Sequence, residues 1–224
     1  MAAETVVGLY PNLENANEAV RELVAAGFSR DDISLVARDA NGAYSRYIAD
    51  EDVKGGDGAA FGALIGGLTG IVVGLSAIII PGIGPIIAAG PIAALLGGTA
   101  GAAVGAVAGA VTGGLTASLI NLGVPEEYAE YYTESVRRGG ALVTVVAEGD
   151  DATDAMNILE RHHPVDVKRR AESWRETGWQ GFDPEAEPYT EAELERERQM
   201  YGDEALPDEE EEAVRRYPPL PPVR

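Results

Sequence analysis

Few side chains in this sequence of 224 residues could do chemistry: there are two histidines and no cysteine. Without thiols there is no disulfide, iron–sulfur or thiolate metal site. His162 and His163 are adjacent, and neighbours on a helix point to different faces, so they make a poor metal pair. Their position before Pro164 suits a helix end. Carboxylates cluster at Asp31-Asp32, Asp50-Glu51-Asp52 and Glu126-Glu127. Such groups can share a proton or bind Ca²⁺, but none has EF-hand spacing, and caps or solvated turns account for them. Glycine is abundant, yet no Lys-Ser/Thr follows a glycine-rich turn that could cradle phosphate. The sequence therefore predicts no catalytic residue, no metal site, no cofactor and no enzymatic activity.

What the sequence does carry is a stretch that must be positioned. Residues 58–125 contain no charged side chain. Within it Gly58, Gly62, Gly66, Gly70 and Gly74 recur every four residues, and Gly97, Gly101, Gly105, Gly109 and Gly113 do the same. Spacing by four puts glycines on one ridge of a helix, where another backbone can approach closely. Each glycine costs about 1 kcal/mol relative to alanine in a helix, so ten imply a deficit of roughly 10 kcal/mol that close packing must offset. Pro81, Gly82, Gly84 and Pro85 lie between the ladders as a turn. These features predict a glycine-zipper helical hairpin, with helices over 58–80 and about 91–121. The first helix would be about 35 Å long against a bilayer core of about 30 Å. A transmembrane hairpin is the first expectation, with the lipid bilayer and a second copy as partners. A hairpin buried inside a soluble homo-oligomer is the alternative. Uncharged helices also argue against a proton relay or ion-coupled transporter.

The net charge is −20, from 37 acids and 17 bases. No region offers a basic patch, so nucleic acid is not an expected partner. The N-terminus lacks the pattern of a signal peptide. The expected location is the cell membrane, with the soluble parts cytoplasmic.

Around the neutral stretch the chain reads as α+β. Thr5–Tyr10 and Ile33–Val36 are predicted strands flanking a helix over Leu13–Ala25. After Gly123 a helix is expected from Pro125 to about Arg138, then a strand over Ala141–Ala147, a helix from Asp150 or Asp151 to about Arg161, and a short fourth strand at Val165-Asp166-Val167. Residues 14–23 align at an offset of 136 with residues 150–159, sharing both alanines and the leucine, and the preceding strands align at the same offset. Two βαβ-like halves predict a ferredoxin-like split βαβ domain interrupted by the hairpin. The expected divisions are 1–57 and 123–168 for the two halves, 58–122 for the hairpin and 169–224 for an acidic Pro/Glu-rich tail. The tail reads as mostly disordered, apart from a short helix over Glu191–Met200. Its final Pro218-Pro219-Leu220-Pro221-Pro222 could dock an unknown protein partner. Tyr128, Tyr131 and Tyr132 share one helix face. They either pack that helix on the sheet or serve as interfacial anchors at headgroup level, a role also open to Trp174 and Trp179.

Three features together resemble a known family: the strand–helix–strand start, the glycine ladders around Ile80-Pro81-Gly82-Ile83-Gly84-Pro85, and Gly123-x-Pro125-Glu126-Glu127 followed by Arg137-Arg138-Gly139-Gly140 before a strand. The sequence is similar, over about residues 4–168, to the bacterial heat-induced general stress protein family, whose small α/β domain carries a glycine-rich membrane hairpin. The resemblance implies a non-enzymatic, membrane-associated stress-response protein that self-assembles through its glycine-zipper helices. A soluble homo-oligomeric scaffold or shell, or a small-ligand-binding regulatory module, are the alternatives.

Overall fold

The computed structural model describes residues 3–40, 42, 76–96, 114–201 and 213–219. The ten ladder glycines and Asp50-Glu51-Asp52 lie outside these residues. Thirteen elements are seen among the described residues: β1 (Ala3–Tyr10), α1 (Leu13–Ala25), β2 (Ile33–Arg38), β3 (Ser76–Ile80), β4 (Gly84–Ala89), α2 (Gly90–Leu95), α3 (Gly114–Asn121), α4 (Glu126–Arg137), β5 (Ala141–Glu148), α5 (Asp150–Glu160), α6 (Val167–Glu176), α7 (Glu191–Tyr201) and β6 (Val214–Tyr217). The strands form one six-stranded sheet in the order β3-β4-β2-β5-β1-β6, and every neighbouring pair is antiparallel.

The two halves interleave. Strands β1 and β2 both run antiparallel to β5, which lies between them, so they are parallel to each other across it. Strands β5 and β6 flank β1 in the same way. Each half is a split β–α–β unit whose gap is filled by a strand of the other. The internal repeat marks the equivalent helices. Ala16, Ala19 and Leu23 of α1, and Ala152, Ala155 and Leu159 of α5, are all fully buried. Small residues let both helices sit close on one sheet face, over Val6, Leu35, Val143 and Val145.

The opposite face is also apolar. Val7, Leu9, Val36, Ile86 and Leu142 point there and are covered by α2, α3, α4 and α6. Burial on both sides explains why β1 reads as a nearly continuous run of large apolar residues rather than an alternation.

The structure corrects the expected hairpin. Residues 76–80 are a strand, not the end of a helix, and Pro81, Gly82, Gly84 and Pro85 belong to a β-hairpin on the sheet's edge, paired Ile80 with Gly84 and Ile78 with Ile86. Ile83 N donates to Ile80 O at 3.1 Å, and Gly82 has φ 75°. Proline followed by a left-handed glycine closes such a tight turn, and the β-branched isoleucines on either side favour strand. The hairpin is locked in place. Gly90 has φ 72°, and a Cβ there would lie 2.0 Å from Ile33 O, while Ile92 N donates to the buried Ser34 Oγ at 3.1 Å. Of the expected second helix, the described portions are the short α2 and α3. No helix among the described residues is long and apolar enough to cross a membrane.

Two further expectations fail for local reasons. Val165-Asp166-Val167 is not a strand. Asp166 accepts from Lys168 N and Arg169 N and caps α6, leaving one strand-like bond, from Val165 N to Leu9 O at 2.7 Å. The fourth strand of the interleaved set is β6, from the tail. The tail is also not mostly disordered over its described residues: α6, α7 (expected near 191–200) and β6 are anchored by buried Ala171, Trp174, Leu194, Val214 and Tyr217. These anchors are too sparse to register in composition.

Tyr217 is buried, and its hydroxyl lies 3.1 Å from that of the fully buried Tyr132. Tyr217→Ala is expected to cost about 3 kcal/mol by opening a cavity, and Tyr217→Phe about 1 kcal/mol, in urea unfolding. An unchanged midpoint for Tyr217→Ala would separate β6 from the cooperative unit.

Candidate functional site

The densest polar arrangement among the described residues lies at the C-terminal end of α4, where Arg137-Arg138-Gly139-Gly140 meets β2, the β3–β4 turn and the tail. Helix α4 ends in a Schellman motif: Gly139 N donates to Val136 O at 3.0 Å and Gly140 N to Ser135 O at 2.9 Å. This stops the helix and aims the two arginines outward from its last turn. The fully buried Glu134 carboxylate accepts from Arg138 Nε at 2.6 Å and Arg137 Nη1 at 3.2 Å. Arg138 also reaches Glu197 of α7 at 3.0 Å. Arg137 donates to Gly82 O at 2.8 Å and Glu187 O at 2.9 Å, tying turn and tail together. The rings of Tyr189 and Trp174 stack on these cations. Arg137 lies 4.6 Å from the Tyr189 centroid, and Arg138 lies 4.7 Å from that of Trp174.

Arg38, at the end of β2, joins this group and is buried. Its Nη2 donates to Tyr189 O at 3.0 Å. Its pKa is depressed to about 10, first by burial and then by the nearby Arg137, against the pull of Asp39. In Arg138 the same burial is outweighed by Glu134 and Glu197, and its pKa is raised. The cluster is thus a clamp, with carbonyls, carboxylates and rings engaging most of its donors. Beside it lies a cavity of about 200 Å³ bordered by Arg38, Asp39, Glu191 and Arg198.

The aromatic face of α4 is a second cluster. Tyr131 and Tyr132 are buried and Tyr128 half-buried, packed with Trp174, Trp179 and Tyr217. Ring centroids lie 5.7 Å apart for Tyr128–Tyr131, 5.9 Å for Tyr131–Trp179 and 5.7 Å for Trp174–Trp179. The tyrosines therefore take the packing role, against the sheet and tail, rather than presenting a row at headgroup level. Burial pushes the Tyr217 hydroxyl up to about 12 and raises Tyr132 well above its ordinary range, so neither supplies a tyrosinate near neutral pH.

The remaining sequence candidates are structural. His162 Nε2 lies 2.6 Å from Glu22 Oε2, joining the ends of α5 and α1, and His163 turns away with φ 57°. Glu126 and Glu127 occupy the first turn of α4. Asp31 and Asp32 sit in a turn held by Ser29. No group of three or more potential ligands for a metal ion occurs among the described residues. An open cleft of about 700 Å³ between the ends of α1, β5 and α5 is bordered by Phe28, Asp32, Glu148, Asp151, Asp154 and Arg161, without a convergent set. Sequence reasoning missed Arg38, Glu134 and Tyr189. Only Glu134 left a signal, as an acid three and four residues before two arginines.

Removing Glu134 takes the shared buried carboxylate from two arginines, leaving Arg137 with its carbonyl partners and Arg138 with Glu197. Glu134→Ala is expected to cost about 3 kcal/mol or more in urea unfolding; a loss under about 1 kcal/mol would show that the arginines are not held by it. A second test concerns pH. The Glu22 carboxyl is held below its usual range, first by the hydrogen bond from Arg161 and then by that from His162. Its contribution is present above the unfolded carboxylate's titration and is lost as pH falls through the folded value. Glu22→Gln should flatten the acid arm of the stability–pH curve and leave the alkaline arm unchanged.

Compared with family models, with curated proteins and with solved structures, the chain finds no match in any of the three.

Proposed function

We propose that this chain is a non-enzymatic self-assembling protein whose glycine ladders form the assembly surface. On this reading its α/β part is a ferredoxin-like domain, supported by the two interleaved split β–α–β units. The observation that carries the proposal is the pair of ladders in a stretch of 68 residues without one charged side chain. In helices they carry a deficit of roughly 10 kcal/mol that only close backbone packing offsets.

The tethering of the ladders favours packing within protein over spanning a bilayer. Both ends of each segment join one folded domain. The first runs between Gly42 and Ser76, and the second between Leu96 and Gly114. A segment that starts and ends on one side crosses a bilayer twice or not at all. Two helical crossings take about 40 residues, whereas these segments have 33 and 17. The exposed apolar side chains agree. Ile79 is 72 % exposed and Leu95 43 %; both belong to the β3–β4–α2 unit that the two ladders share. The family resemblance supports a stress-response setting.

The test is particle size without detergent, by light scattering on a sizing column. The wild-type chain should form an oligomer of defined mass, and Gly66→Leu with Gly105→Leu should shift it toward monomer. A monomeric wild type, or a size unchanged by both substitutions, would refute ladder-driven assembly. Retention in carbonate-washed membranes with release only by detergent would overturn the packing within protein and restore the bilayer-inserted hairpin.

A further inference from the structure

Arg38 is the member of the clamp whose charge the fold answers least. It closes β2 and is 8 % exposed. Arg137 and Arg138 share the Glu134 carboxylate. The hydrogen bond of Arg38 goes instead to a carbonyl, from Nη2 to Tyr189 O at 3.0 Å. A carbonyl satisfies a donor but brings no countercharge. Nε and Nη1 are both buried without a hydrogen-bond partner. Buried donors are rarely left so, and leaving them on a charged group is especially costly. The depressed pKa of Arg38 reflects the same imbalance, since burial and Arg137 outweigh the pull of Asp39.

Space for a partner lies alongside. Arg38 borders the cavity of about 200 Å³, whose wall also includes Leu13, Asp39, Ala40, Glu191 and Arg198. Pockets for drug-sized ligands run to about 300–1,000 Å³, so this one suits an ion of a few heavy atoms. Leu13 opens the 13-residue helix α1, and the positive end of a helix favours a negative charge. Arg198 is half-exposed and already paired with Glu195 at 3.2 Å. Asp39 and Glu191 limit the charge that can enter. They repel a dianion, whereas a single negative charge completes what Asp39 only partly balances on Arg38. A planar guanidinium suits a carboxylate better than a halide. Nη1 is packed under the β3–β4 turn, 3.1 Å from where a Cβ on Gly84 would stand, which leaves Nε as the donor for the ligand.

We propose that this cavity binds a small monocarboxylate, with Arg38 as its cation and the first turn of α1 as a second source of positive potential. The site goes beyond assembly through the glycine ladders and uses none of their residues, so either can fail without the other.

The probe is fluoroacetate, followed by fluorine transverse relaxation in the presence of the full-length chain, a readout that works at any particle size. Arg38→Gln removes the cation. Ala40→Leu keeps Arg38 and fills the cavity from an exposed position on its rim. The signal should broaden saturably with the wild-type chain and sharpen when acetate is added, but not when chloride is added at equal ionic strength. Both variants should weaken binding by about tenfold or more. Undiminished binding to Ala40→Leu would overturn the cavity as the site, even if Arg38→Gln fails to fold. Displacement by chloride as readily as by acetate would show an ordinary counterion position and overturn the proposal. Displacement by phosphate at lower concentration than acetate would overturn the single carboxylate. An absence of saturable broadening would mean that water alone meets Arg38, and would also overturn it.

Discussion

A sheet that is apolar on both faces has to be covered on both faces, and most of this molecule follows from that requirement. Val6 and Tyr10 of β1 point one way, Val7 and Leu9 the other, and all four are fully buried. The repeated helices α1 and α5 cover only the first side. The second must be closed by parts of the chain that belong to neither repeat: the β3–β4–α2 unit, α3 and α4, and the tail helix α6. This makes the insertion and the tail parts of the core rather than appendages. It also explains the arginine cluster. Because α4 lies on the sheet and the tail lies over α4, the polar end of that helix is largely covered, with Glu134 fully buried and Arg137 and Arg138 mostly so. A buried Glu134 between Arg137 and Arg138 keeps the guanidinium charges compensated there. Without a carboxylate at that position Arg137 would keep only its carbonyl partners and Arg138 only Glu197 to balance its charge.

The repeat and the elements it contains were legible in the sequence because their signals are local. Ala16, Ala19 and Leu23 recur as Ala152, Ala155 and Leu159 with helical spacing, and β1, β2 and β5 are runs of β-branched and aliphatic residues between turn residues. Ile78-Ile79-Ile80 misled for an equally physical reason. An uncharged run next to registered glycines continues a helix by hydropathy alone, and only its pairing with Ile86 and its neighbours, a tertiary fact, makes it a strand. The Pro-Gly turn was read correctly as a reversal, but a reversal of strands rather than helices. The fourth strand was sought at Val165-Asp166-Val167, close to the edge it should occupy, and Val165 does bond Leu9 there. Asp166 then diverts the backbone into a helix by capping it. The strand that completes the edge comes from near the end of the chain, where two arginines and a proline-rich surrounding hide Val214 and Tyr217. The clamp was legible in part: the tandem arginines stood out, whereas Arg38 and Tyr189 are brought to them only by the fold.

Charge decides where copies of this chain can meet. At a net charge of −20 two protomers repel, and at physiological salt that repulsion is screened only beyond about 8 Å. A contact surface is therefore favoured where charge is absent or already paired. The proposed assembly surface meets that condition: the ladder glycines belong to the uncharged stretch over residues 58–125, and the described part of that stretch leaves Ile79 and Leu95 exposed.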